Sequence, residues 1–118
     1  MVEFGDFERV TIGDINIRAA EDVAAWIGGD RVDVVSIDVY DEPDAVGKLA
    51  GYDIVMDGTP ISVNGRSTRC IALAGCHGIN LNGFGEEYRY DGIFKEKSRV
   101  MVPGFGMTPG TTNMMAVH

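Results

Sequence analysis

Cysteine is scarce in this chain: Cys70 and Cys76 are the two thiols among 118 residues. Two thiols make no disulfide framework, and they suit a reducing cytoplasm. Long hydrophobic runs are missing too. No apolar stretch approaches the ~20 residues that cross a bilayer, so no membrane-spanning helix is expected. The opening Met1-Val2-Glu3-Phe4-Gly5-Asp6 lacks the basic and apolar regions of a signal peptide. Positive charge is in deficit: Lys and Arg number 10 against 18 Asp and Glu, a net charge of −8. That sign disfavours nucleic acid and anionic membrane as partners, since both are polyanions. A smaller anion held by backbone amides at a helix N-terminus is still compatible with it. Internal repeats, low-complexity tracts and linkers are absent as well, and the length fits one domain with a modest core.

What is present is organised around Tyr52-Asp53-Ile54-Val55-Met56-Asp57-Gly58-Thr59-Pro60. The apolar run Ile54 to Met56 reads as a strand buried on both faces, as in a parallel sheet. The Gly-Thr-Pro after it places flexible backbone at the strand's carboxyl end, the edge where open α/β sheets bind ligands. Upstream, Val10-Thr11-Ile12 reads as a short strand ending at Gly13-Asp14. A helix follows from Asn16 to Ile27, with Ala19, Ala20, Val23, Trp26 and Ile27 on one stripe. Asn16 can cap that helix and Gly28-Gly29 can end it. Arg31 to Val39 is a second strand, and the acidic Asp41-Glu42-Pro43-Asp44 opens a short helix through Leu49. Downstream, Val63 to Ala74 reads as a helix ending at Gly75, and Ile79 to Gly83 as a strand. Tyr88 to Lys97 is weakly helical, Arg99 to Pro103 is a last strand, and Thr111 to Val117 opens as a helix. Strands alternating with helices over short loops give an α/β fold with parallel strands and right-handed crossovers.

Asp14 ends a strand and precedes a helix. In a dinucleotide-binding fold an acid at the end of the second strand bonds the adenosine ribose; a helix-capping aspartate is the plainer alternative. Asp38, ending the next strand, could face an adenine or could bond its own loop. The Gly-x-Gly-x-x-Gly that should precede the ribose acid by roughly 20 residues is missing. Gly104-Phe105-Gly106 with Gly110 is no substitute, because it follows the last strand. It reads as a turn that brings backbone close to a ligand or another strand. Cys70, Cys76 and His77 lack the four-ligand pattern of a metal site, and no metal is expected. Cys70 reads as a core residue, Cys76 has no identifiable base, and His77 fits a loop. Met107, Met114 and Met115 read as filler, and Glu86, Glu87 and Asp91 as a solvated helix face.

Three segments together resemble the saccharopine dehydrogenase-like oxidoreductases. They are Asp53 to Pro60, Cys70-Ile-Ala-Leu-Ala-Gly-Cys-His-Gly-Ile-Asn80, and Val102-Pro-Gly-Phe-Gly-Met-Thr-Pro-Gly-Thr-Thr-Asn113. The resemblance runs through nearly the whole chain, and the last segment is its most specific part. It implies a Rossmann-like parallel sheet with helices on both faces, binding NAD or NADP for hydride transfer in a longer parent enzyme. By that resemblance Asp14 and Ile15 follow the ribose-binding strand and Asp38-Val39 lie on the adenine side. Gly58-Thr59-Pro60 pass the cofactor's phosphates and ribose, and Gly104-Phe105-Gly106 complete the cofactor-binding set. An acid at Asp14 repels a 2′-phosphate and favours NAD, while Arg18 nearby leaves NADP open.

Against that family the first strand, its glycine-rich loop and most of the first helix are missing, so residues 1–118 read as a partial, incomplete domain. The substrate domain, with the catalytic residues, is expected outside it. In strand order 3-2-1-4-5-6 the missing strand is the central one. The Val10 and Ile54 strands would then either pair directly or recruit a strand from another copy, the second arrangement giving a homo-oligomer. The alternatives are a non-catalytic regulatory or interaction module with a degenerate Rossmann fold and a flavodoxin-like receiver or binding domain.

Overall fold

A computed structural model describes residues 6–83 and 85–106 of the chain. The expected helix at Thr111 to Val117 and the methionines at 107, 114 and 115 lie outside the described residues. The chain divides into two compact units, with the boundary after Asp38.

The first unit is a single β-α-β turn. Strand β1 (Val10–Asp14) pairs in parallel with β2 (Val32–Ser36), from Val10 opposite Val32 to Asp14 opposite Ser36. Between them runs α1 (Ile17–Ile27), packed on both strands. Its ends follow the sequence: the Asn16 side chain accepts from Ala19 N, and Gly28, at φ +71°, bonds back to Ala24 O. The apolar stripe is wider than the surface available to it. Ala20 is buried, whereas Trp26 is 87% exposed and Val23 and Ile27 are exposed as well. Strands lie about 4.8 Å apart, so two of them cover only the middle of a helix.

The second unit carries α2 (Glu42–Leu49), β3 (Ile54–Asp57), α3 (Ile61–Ala74), β4 (His77–Asn80), α4 (Asp91–Glu96) and β5 (Met101–Val102). A 3₁₀ turn, Glu86–Tyr90, precedes α4. The sheet order is β3-β4-β5, and both pairings are parallel. Asp41 caps α2 by accepting from Asp44 N, and Asp44 pairs with Lys48 one turn on. Gly75, in the left-handed region at φ +76°, closes α3, where an L-residue would be strained. The core lies between α3 and its neighbours: Cys70, Ile71, Ala72, Cys76, Ala45, Leu49 and Phe94 are all buried.

Parallel pairing holds throughout, but in two sheets. Among the described residues β1 and β2 form one sheet and β3, β4 and β5 the other. Nor is β3 buried on both faces: Ile54 is 46% and Met56 53% exposed. Alternation sends Val55 and Asp57 toward α3 and sends Ile54 and Met56 to the opposite face. Strand β4 starts at His77, two residues earlier than its β-branched content indicates. Pairing fixes it instead: His77 N bonds Asp53 O and Gly78 N bonds Val100 O, each at 2.9 Å.

Candidate functional site

Parallel strands deliver their carboxyl ends to one edge, and the expected residues sit at such ends. In the first unit Asp14 is the last residue of β1 and is exposed; its Oδ1 accepts from Asn16 N at 2.8 Å. That bond is the turn expected of an aspartate entering a helix. Ile37 N bonds Asp14 O at 3.1 Å, which sets the ends of β1 and β2 side by side. Ile15 is exposed, and Asp38 is half-buried just beyond β2. Val39 is half-buried in the second unit, where its carbonyl receives the Cys70 thiol at 4.0 Å.

The second unit brings two loops together. The first, Gly58-Thr59-Pro60, leaves β3 and enters α3. Gly58 is exposed and nothing lies within 4 Å of where a Cβ would stand. Thr59 N donates to Asp57 Oδ1 at 2.9 Å, and Thr59 O accepts from Asn82 Nδ2 at 3.2 Å. Thr59 Oγ1 is buried and has no hydrogen-bond partner among the described residues. The second loop, Pro103 to Gly106, leaves β5. Gly104 is buried at φ +72°, and its amide donates to Asn82 O and, at 3.2 Å, to Asn80 Oδ1. Phe105 N donates to Asn80 O at 2.8 Å, with its ring half exposed. A Cβ on Gly106 would stand 2.7 Å from Leu81 O, so only glycine fits that approach.

Between the loops lies a buried polar network that the sequence reading did not find. Asp57, Asn64, Asn80 and Glu87 are each at most 3% exposed. Asn64 Nδ2 donates to Asp57 Oδ2 at 3.2 Å. Asn80 Nδ2 donates to Asn64 Oδ1 at 3.4 Å and to Glu87 Oε1 at 3.2 Å. Glu87 Oε2 accepts from Gly85 N at 2.9 Å. Glu87 therefore does not lie on a solvated face. Its neighbours do, since Glu86 pairs with Arg89 and Asp91 with Lys95 at the surface. One signal was available: Asn64 stands one and two turns before Thr68 and Ile71, on the stripe that faces the core. Nothing in the sequence marks Glu87.

The other candidates are structural. Burial pushes both thiols above the ordinary cysteine range, and both side chains lie in the core. Cys76 Sγ donates to Leu49 O at 3.2 Å. His77 starts β4, at the edge opposite the loops, and its Nδ1 accepts from Val100 N. Among the described residues no three His, Cys, Asp or Glu side chains converge to hold a metal. No described helix is long and apolar enough to cross a membrane.

Two similarities to known proteins join this geometry. The structure is similar to apo histidine-tagged saccharopine dehydrogenase (L-Glu forming) from Saccharomyces cerevisiae, with a TM-score of 0.82 at 18% identity. The match covers 96% of this chain and 25% of the yeast chain, so at that identity it speaks for the fold. The family model described as the saccharopine dehydrogenase NADP binding domain matches residues 1–101, a span that stops before the loop at 103–106. The chain therefore belongs to the saccharopine dehydrogenase NADP binding domain family.

Proposed function

We propose that this chain is the nicotinamide-dinucleotide-holding part of an oxidoreductase that transfers a hydride to or from a carbon–nitrogen or related centre. The family match over residues 1–101 carries this reading. Because the chain spans a quarter of the yeast chain it resembles, substrate chemistry is assigned to a separate domain of a longer protein.

The residues fit the ribose ends of such a cofactor. In the first unit, Asp14 presents an exposed carboxylate that can accept from ribose hydroxyls. Among the described residues only Asn16 N bonds it. Asp38 and Ile15 complete that unit's share. In the second unit, Gly58 leaves the backbone open to close approach, and the unsatisfied Thr59 hydroxyl supplies a donor and an acceptor. Pro60, Gly104, Phe105 and Gly106 border the same region. The pyrophosphate-binding glycine motif is not among these 118 residues. When bound, the nicotinamide supplies the hydride chemistry; these side chains and amides bind and orient it.

The carboxylate at Asp14 favours NAD, whose ribose carries a hydroxyl where NADP carries a phosphate. The chain is assigned to a reducing cytoplasm, in keeping with two buried free thiols. Calorimetric titration of the chain with NADH and with NADPH tests the reading. Saturable binding that weakens in Asp14→Ala supports it. A folded chain that binds neither nucleotide overturns it for these 118 residues.

A further inference from the structure

Asn80 ends β4, the middle strand of the second unit's sheet, and none of its surface is exposed. Every polar atom of its side chain is engaged. Nδ2 donates to Asn64 Oδ1 and to Glu87 Oε1, and Oδ1 accepts from Gly104 N. Its main-chain oxygen accepts from Phe105 N. On the other side Asn64 holds Asp57, and Asp57 holds Thr59 N. The chain of bonds thus starts on the backbone of one loop and ends on the backbone of the other. Two buried carboxylates take part, which costs desolvation that an apolar core of the same volume would avoid. What the polar version adds is fixed distance and direction.

We propose that Asn80, with Glu87 as its second acceptor, is the positioning residue that sets the placement of the loop at 57–60 relative to the loop at 103–106. It thereby shapes the second unit's share of the dinucleotide site, an assignment that rests on the function proposed above. Asn80 acts through these loops and touches no cofactor atom itself. Glu87 holds the Asn80 amide in register and ties it to Gly85. Asn82 adds a parallel strut, donating to Thr59 O and accepting from Gly104 N.

The test is Asn80→Asp in the full chain. The change keeps size and the acceptor for Gly104, but turns an oxygen toward Glu87 Oε1 and Asn64 Oδ1. The first readout is amide hydrogen exchange without ligand. Thr59, Gly104 and Phe105 should exchange about tenfold faster or more, while Val55 and Ile79 in the strands hold their rates. The second is affinity for NADH and for 5′-AMP. NADH should weaken about tenfold, and AMP, held by the first unit, should stay within about twofold. Combining Asn80→Asp with Glu87→Gln restores a donor–acceptor pair in reverse and should recover part of both losses. If Asn80→Asp does not fold, Glu87→Gln alone is read the same way, since one of its two bonds is lost. Unchanged loop amides, or NADH and AMP affinities falling together, overturn the proposal. Should the wild-type chain bind no dinucleotide, the cofactor reading fails, and the exchange rates still decide whether Asn80 sets the loops.

Discussion

Replacing Ile71 by alanine probes the contact on which the second unit's sheet rests. Ile71 is fully buried in the third turn of α3. Its Cγ2 stands 3.2 Å from the position of a Cβ on Gly78, so it packs directly on the backbone of β4. Buried Ile→Ala changes cost about 2–5 kcal/mol, depending on how far the site collapses. Collapse is limited here: Gly78 has no side chain to move inward, and the backbone of β4 is held from both sides by β3 and β5. Met101, whose thioether lies against Gly78, is the one flexible neighbour able to fill part of the space. The expected loss is therefore about 3–4 kcal/mol, below the top of the range. In a unit of this size about 4–6 °C accompanies each kcal/mol, so the midpoint should fall by about 12–24 °C. Ile71→Val should cost about 1 kcal/mol. Circular dichroism during thermal and urea unfolding measures both. A cooperative transition lowered by less than about 4 °C in Ile71→Ala would refute the packing argument.

Thr59→Val removes a buried hydroxyl without a partner, so stability should hold or rise by up to about 1 kcal/mol while NADH affinity falls about five- to tenfold. Equal affinity in the two proteins would show that the hydroxyl meets no ligand. Burial raises both thiols, so the folded chain keeps protons that the unfolded chain releases, and stability falls as pH rises above about 8.5. Thermal midpoints at neutral and alkaline pH should show that fall in wild type and a shallower one in Cys70→Ala/Cys76→Ala; identical slopes would contradict it. Gly104→Ala must hold φ +72° with a Cβ, which costs about 1–2 kcal/mol in denaturant unfolding; a stabilised variant would refute the strain. Alternation in a parallel ladder turns the amides of Ile54 and Met56 away from β4, so they should exchange faster than that of Val55. Slow exchange at both, with a dimeric mass, would instead show that another strand covers this edge.

Much of the frame was legible in the sequence because it depends on local chemistry. Asn16, Asp41, Gly28 and Gly75 delimit their helices through caps, and Val32 to Ser36 forms a strand from β-branched content. What escaped depends on partners distant in sequence. Cys76-His77-Gly78 has little strand propensity, and β4 starts there because Asp53 and Val100 bracket it. Trp26 and Met56 read as buried because apolar periodicity marks a face, not the surface available to cover it. Loop residues at strand ends were legible from the rule that α/β ligands sit there. The Asp57–Asn64–Asn80–Glu87 network was not, apart from the place of Asn64 on the core-facing stripe of α3, since the burial of Asp57, Asn80 and Glu87 follows from tertiary bonds.

An amide chemical-shift map of the chain titrated with NADH tests whether the dinucleotide sits at the carboxyl ends of the strands. Shifts should concentrate at the carboxyl ends of the strands. They should fall at Asp14, Ile15, Asp38 and Val39, at Gly58 and Thr59, and at Gly104, Phe105 and Gly106. His77, Arg31 and Arg99, at the amino ends of β4, β2 and β5, should stay in place. Shifts gathered at those amino ends, or no shifts in a folded chain, would contradict that placement.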